Sequence, residues 1–97
     1  MDEVTTVVDS QLYSFDGRVL EVFGAGGAAR FHVRNMHLRI DGPDRKGNRT
    51  VRICHGRPDA PAGCHLWRYS AARWSELTGL VELLRVVQAA VDGDCPP

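Results

Sequence analysis

Lysine is almost missing from this chain: of its twelve basic residues only Lys46 is one, and the others are arginine. With abundant Ala, Gly and Val, that bias reads as the product of a GC-rich bacterial genome. Long apolar runs are missing too, since no stretch approaches the ~20 residues that a membrane-spanning helix needs. Met1-Asp2-Glu3-Val4 opens acidic, without the basic-then-apolar plan of a secretory signal. Cysteine is scarce and odd in number, at three, which argues against a secreted disulfide framework. These absences together point to a cytoplasmic protein. At 97 residues the expectation is one domain over 1–97 with a single modest core, too small for an active site on a lobe of its own.

What is present is an uneven distribution of charge. Twelve basic residues balance twelve acidic ones, yet residues 28–57 hold eight basic against two acidic, a net charge of +6 inside a neutral chain. The flanking segments are acidic.

The first two thirds alternate at the period of strands. Thr5 to Phe15 is rich in β-branched and aromatic residues, Asp16-Gly17 follows, and Arg18 to Phe23 resumes the pattern. Asp-Gly between two such runs signals a hairpin, because a type I′ turn needs positive φ at both central positions. A two-residue loop would pair Phe15 with Arg18 and Tyr13 with Leu20, and a bulge at Gly17 would shift that by one residue. The two-residue loop sets Tyr13, Phe15, Leu20 and Val22 on one face, the core side. Gly24 to Gly27 reads as a turn, because no helix start follows that would make it a phosphate-cradling loop. Phe31 and Val33, then Met36, Leu38 and Ile40, are the next inward sets, with a one-residue phase slip near Asn35 that predicts a bulge or sharp bend. Asp41 to Asn48 has the composition of a surface turn. Arg49 to His55 and Cys64 to Tyr69 complete the strands around a loop at Gly56 to Gly63.

A helix then runs from Ser70 or Ser75 to about Val91. Ser70 as N-cap sets Tyr69 and Trp74 at the spacing of a hydrophobic staple. Trp74, Leu77, Val81, Leu84, Gln88 and Val91 form a stripe that Leu80, Leu83 and Val87 widen, and so wide a stripe must be buried. Any of the last three left exposed would offer a homodimer surface through the helix. Gly79 costs about 1 kcal/mol against Ala in a helix interior, so it predicts either a tight contact or a bend. Asp92-Gly93 stops the helix, leaving residues 92–97 as a frayed tail. The fold class is α+β: a bent antiparallel sheet or partly open barrel of five to seven short strands, capped by one C-terminal helix.

On the hairpin Leu12-Tyr13-Ser14-Phe15-Asp16-Gly17-Arg18-Val19-Leu20-Glu21-Val22, the run Arg30-Phe31-His32-Val33 continuing to Ile40, and the helix carrying Trp74-Ser75-Glu76-Leu77, the chain resembles the pleckstrin-homology-like group of small bacterial domains. The resemblance implies a strongly bent sheet forming a partly open barrel with the helix plugging one end. It implies little inositol phosphate binding, because the tight loop at Asp16-Gly17 has only Arg18 beside it. Five or six strands can be counted, where the eukaryotic domain has seven.

Two constellations are candidates for chemistry. Cys54-His55 and Cys64-His65 are four zinc-capable residues, but zinc needs ligands converging tetrahedrally, and neighbours on a strand point to opposite faces. The cysteines should meet on one face and the histidines on the other, which defeats a common metal site. The thiols themselves read as reduced and adjacent across a hairpin. No nucleophile motif, metal site or cofactor loop is legible, so the chain reads as noncatalytic, without a cofactor. The second constellation is the basic stripe. With the apolar residues inward, Arg30, Arg34, His37, Arg39 and Arg52 fall on one outer face, with Arg45, Lys46 and Arg49 at the adjoining turn. It is either a solvated sheet face or an anion-recognising surface, for which arginine suits planar bidentate contacts. The functional expectation is a protein-binding adaptor that uses a sheet edge or this face, with nucleic-acid or acidic-lipid binding through the same charges as the alternative.

Overall fold

The alternating segments form seven strands and the terminal stripe forms two consecutive helices. The computed structural model describes residues 3–24, 26–57, 59 and 62–93. In chain order the elements are β1 (Val4–Val8), β2 (Gln11–Phe15), β3 (Val19–Gly24), β4 (Gly27–His32), a 3-10 turn (Val33–Asn35), β5 (Met36–Asp41), β6 (Arg49–His55), β7 (Gly63–Tyr69), α1 (Ala71–Glu76) and α2 (Thr78–Gly93). The strands make two antiparallel sheets, β1-β2-β3-β4 and β5-β6-β7. The class is α+β, as the order of patterns predicts. Among the described residues no strand pairing joins the two sheets, so the barrel does not close.

The run from Thr5 to Phe15 is two strands, not one. Asp9-Ser10 makes the two-residue turn between β1 and β2, with Val8 opposite Gln11 and Asp9 in the left-handed region at φ 56°. Asp and Asn tolerate that conformation better than other non-glycine residues. At Asp16 four residues, Asp16 to Val19, lie between paired positions instead of the expected two. The Asp16 carboxylate accepts from the amides of Arg18 and Val19, both at 2.9 Å, and Phe15 pairs with Leu20 and Tyr13 with Val22. The shift from the expected register is two residues, which preserves the faces; a shift of one would have turned the core side outward. Those two amide hydrogen bonds hold the Asp16 carboxyl below its usual range.

The phase slip near Asn35 is where the chain changes sheets. The 3-10 turn supplies the bend, with His32 Nδ1 accepting from the Arg34 amide at 3.1 Å. Both inner faces then meet. Phe31 of β4 stacks on His55 of β6 with centroids 4.3 Å apart, and Tyr13 of β2 meets Trp67 of β7 edge-on. The hydroxyls of Tyr13 and Tyr69 lie 3.4 Å apart. Burial and the neighbouring tyrosine push the Tyr13 phenol well above its usual pKa.

The single helix expected is broken at Leu77. Ser70 does cap α1, its side chain accepting from the Arg73 amide at 3.2 Å, and Tyr69 and Trp74 pack as the staple spacing predicts. Both readings of Gly79 hold at once. The helix breaks just before it, and a Cβ there would lie 2.7 Å from Thr6 Oγ1 on β1. Leu77, Leu80, Leu83, Leu84, Val87 and Val91 are buried, while Val81, expected in the core, is 36% exposed. The stripe is therefore rotated toward Leu80 and Val87, and Leu80, Leu83 and Val87 are all buried, so none of the three offers the expected surface for a second copy of the chain. Among the described residues no helix is long and apolar enough to cross a membrane. The tail beyond Gly93, including Cys95, lies outside the described residues.

Candidate functional site

The outer face of the second sheet is a small grid fixed by strand register. His37, Cys54 and Cys64 form one row across β5, β6 and β7; Arg39, Arg52 and Leu66 form the next; Asp41, Thr50 and Arg68 form the third. Because side chains alternate, Leu38, Ile53 and His65 and then Ile40, Val51 and Trp67 occupy the opposite face. The alternation thus separates the cysteines from the histidines, as the sequence implies. The thiols are not reduced: Cys54 and Cys64 are joined by a disulfide, their Cα atoms 4.0 Å apart. Direct opposition across β6 and β7 brings them close enough, which sequence spacing alone does not decide. On the inner side the imidazoles of His55 and His65 lie 6.0 Å apart, packed among Phe31 and Trp67.

The structure divides the basic stripe instead of keeping it on one face. Arg30 stays on β4 of the first sheet and pairs with Glu21, its neighbour on β3, at 3.4 Å. Arg34 sits in the 3-10 turn beside Arg18 and His32. Arg45 and Lys46 lie in the β5–β6 turn, whose hub is Asp44: its carboxylate accepts from the amides of Asn48 and Lys46 at 2.9 Å and from Arg68 at 3.3 Å, and these bonds lower its pKa. Arg49 lies over the Trp74 ring, its guanidinium carbon 5.6 Å from the centroid. Only His37, Arg39 and Arg52 share a site. Arg39 pairs with Asp41 at 2.6 Å, whereas Arg52 has no side-chain partner among the described residues.

Two grooves flank β5. One, of about 550 Å³, is almost wholly apolar and lies between the inner face of β5 and α2, lined by Leu38, Ile40, Val81, Leu84 and Ala89 with Arg85, Gln88 and Asp92 at its rim. The other, of about 470 Å³, runs over the outer face and is lined by His37, Arg39, Arg52, Arg57, the disulfide, Val91 and Asp92. They share Leu38, Gln88 and Asp92, so they meet across β5. His37 is held there by its Nδ1–H, which donates to the Gly56 carbonyl at 2.9 Å. Gln88 and Asp92 are tied together at 2.8 Å.

Sequence reasoning missed Arg57 and the apolar groove. Arg57 follows the last strand residue by two positions and carries no pattern, and the groove exists only because α2 lies beside β5. A second feature also escaped: Val7, Leu12 and Phe23 stand directly opposite one another across β1, β2 and β3, an exposed apolar row on the outer face of the first sheet. Compared with known proteins, the chain matches no family model, no curated protein and no solved structure.

Proposed function

We propose that the chain is a noncatalytic protein-binding domain of the pleckstrin-homology-like kind, which takes an extended segment of a partner protein along β5. One observation carries the reading: among the described residues β5 is strand-paired on one side only, to β6, and its other edge runs between an apolar groove and a cationic one that meet across it. A strand added to an edge presents alternate side chains to opposite faces. One set would enter the groove of Leu38, Ile40, Val81 and Leu84. The other would meet His37, Arg39 and Arg52. The segment that fits is therefore one of alternating apolar and acidic residues, and Arg52, without a side-chain partner among the described residues, is the cation to receive a carboxylate. Seven strands in a four-plus-three arrangement followed by a C-terminal helix support the pleckstrin-homology-like resemblance, since the strand that the sequence count lacks is β1. A bacterial, cytoplasmic setting belongs to the same proposal.

The test is titration with a synthetic peptide alternating Val or Leu with Glu, beside one alternating Val or Leu with Lys. The acidic peptide should bind and shift amide resonances of β5 and of the C-terminal half of α2, and the basic one should not. Arg39→Glu with Arg52→Glu should weaken binding about tenfold or more. No binding by either peptide, together with salt-sensitive binding to RNA, DNA or anionic vesicles that the same substitutions abolish, would favour the alternative of nucleic-acid or acidic-lipid recognition.

A further inference from the structure

The position of the disulfide gives it chemistry that a structural crosslink does not need. Cys64 is on β7, an edge strand, and is exposed, whereas its partner Cys54 is fully buried on the central strand of the sheet. The bond therefore offers one sulfur to an incoming nucleophile and shields the other. It also forms part of the wall of the outer groove, which Arg39, Arg52 and Asp92 share. Arg39 is partly neutralised by Asp41, and Arg52 is not neutralised by any described residue. On its other flank Cys54 faces His37 directly across β5 and β6. With Nδ1–H committed to the Gly56 carbonyl, the His37 ring has Nε2 left to meet a departing sulfur.

We infer that Cys54–Cys64 is a thiol–disulfide exchange site selective for thiols that carry carboxylates. The incoming thiolate attacks Cys64 Sγ in line with the bond. A new sulfur–sulfur bond forms to Cys64 as the Cys54–Cys64 bond breaks, and its electron pair leaves on Cys54 Sγ as a thiolate, which the surrounding arginines stabilise before it takes a proton from solvent. A second equivalent of the same thiol attacks the mixed disulfide at its own sulfur and releases Cys64 as a thiolate. Two thiols are thereby oxidised to one external disulfide while the protein cystine gains two electrons. The arginines act twice, by raising the local concentration of an anionic thiol and by stabilising the leaving thiolate. None of this depends on what lies along β5.

The experiment uses the full chain with Cys95→Ser, so that the only exchangeable sulfurs are those of Cys54 and Cys64. The oxidised protein is mixed with reduced glutathione, a carboxylate-bearing thiol, or with cysteamine, a cationic one. Rates are compared at equal thiolate concentration after acid quenching and mass measurement. Glutathione should react about tenfold faster than cysteamine at low ionic strength, and that preference should fall toward unity in molar salt. Peptide mapping should place the glutathione adduct on Cys64. Arg52→Glu should abolish the preference while Arg52→Lys keeps it, and if Arg52→Glu fails to fold, as read by near-ultraviolet circular dichroism of Trp67 and Trp74, Arg52→Gln takes its place. Equal rates for the two thiols, an adduct on Cys54, or reduction only when denaturant is added would overturn the inference.

Discussion

Single carboxylates organise two of the turns of this protein. Asp16 and Asp44 each collect two backbone amides, and in both cases those bonds lower the carboxyl pKa. A group with a depressed folded-state pKa contributes stability that is fully present above its unfolded value and is lost as pH falls through the folded one. Asp44→Ala should therefore lower the melting temperature at pH 7, and the deficit against the parent should shrink as the pH drops below about 4, where aspartates begin to protonate. A thermal denaturation series from pH 7 to pH 2 checks this, and a deficit constant with pH would show that Asp44 acts only as a neutral acceptor. The same residue illustrates the limit of local reading. Its turn composition is plain in sequence, but the ion pair with Arg68 depends on β7 returning to lie beside β6.

Among the elements, the break between α1 and α2 is the clearest meeting of propensity and packing. A glycine inside a helix is normally improved by alanine, by up to about 1 kcal/mol. Here the added Cβ would meet Thr6 at 2.7 Å, and threonine has little χ1 freedom with which to yield. Gly79→Ala should thus destabilise by roughly 1–3 kcal/mol, as overpacking does. Combined with Thr6→Ala it should recover most of that loss. Urea denaturation of the two single variants and the double variant gives the coupling directly, and additive effects would refute the contact. Arg73 reinforces the same junction, reaching Asp9 in the β1–β2 turn as well as Glu76 within α1.

At the scale of the molecule, two sheets that share no strand pairing among the described residues are held by side chains between their inner faces and by α2. Leu84 is wholly buried beneath the helix while contributing to the wall of the apolar groove. Leu84→Ala should cost about 2–5 kcal/mol, the usual range for emptying such a site. An unchanged denaturation midpoint would contradict the docking of α2 described here.

Read by itself, the sequence determined much of what depends on local period: strand faces, a break in phase near Asn35, Ser70 as one of two helix starts, and the separation of Cys54 and Cys64 from His55 and His65, though not the rotation of the helix stripe that exposes Val81. Side chains alternate on a strand and repeat at 3.6 on a helix whatever lies elsewhere, so these properties need no knowledge of neighbours. Only the tertiary structure decided which strands became edges, that Asp9-Ser10 splits the first run into two strands, and that the adjacent Cys54 and Cys64 are bonded, not reduced. It also decided that of eight candidate groups only His37, Arg39 and Arg52 converge, because the 3-10 turn sends Arg30 to one sheet and Arg39 to the other. The grooves beside β5 exist only once α2 has docked there. Each of these outcomes depends on which distant segments bury their apolar faces against one another, a choice that no local pattern contains.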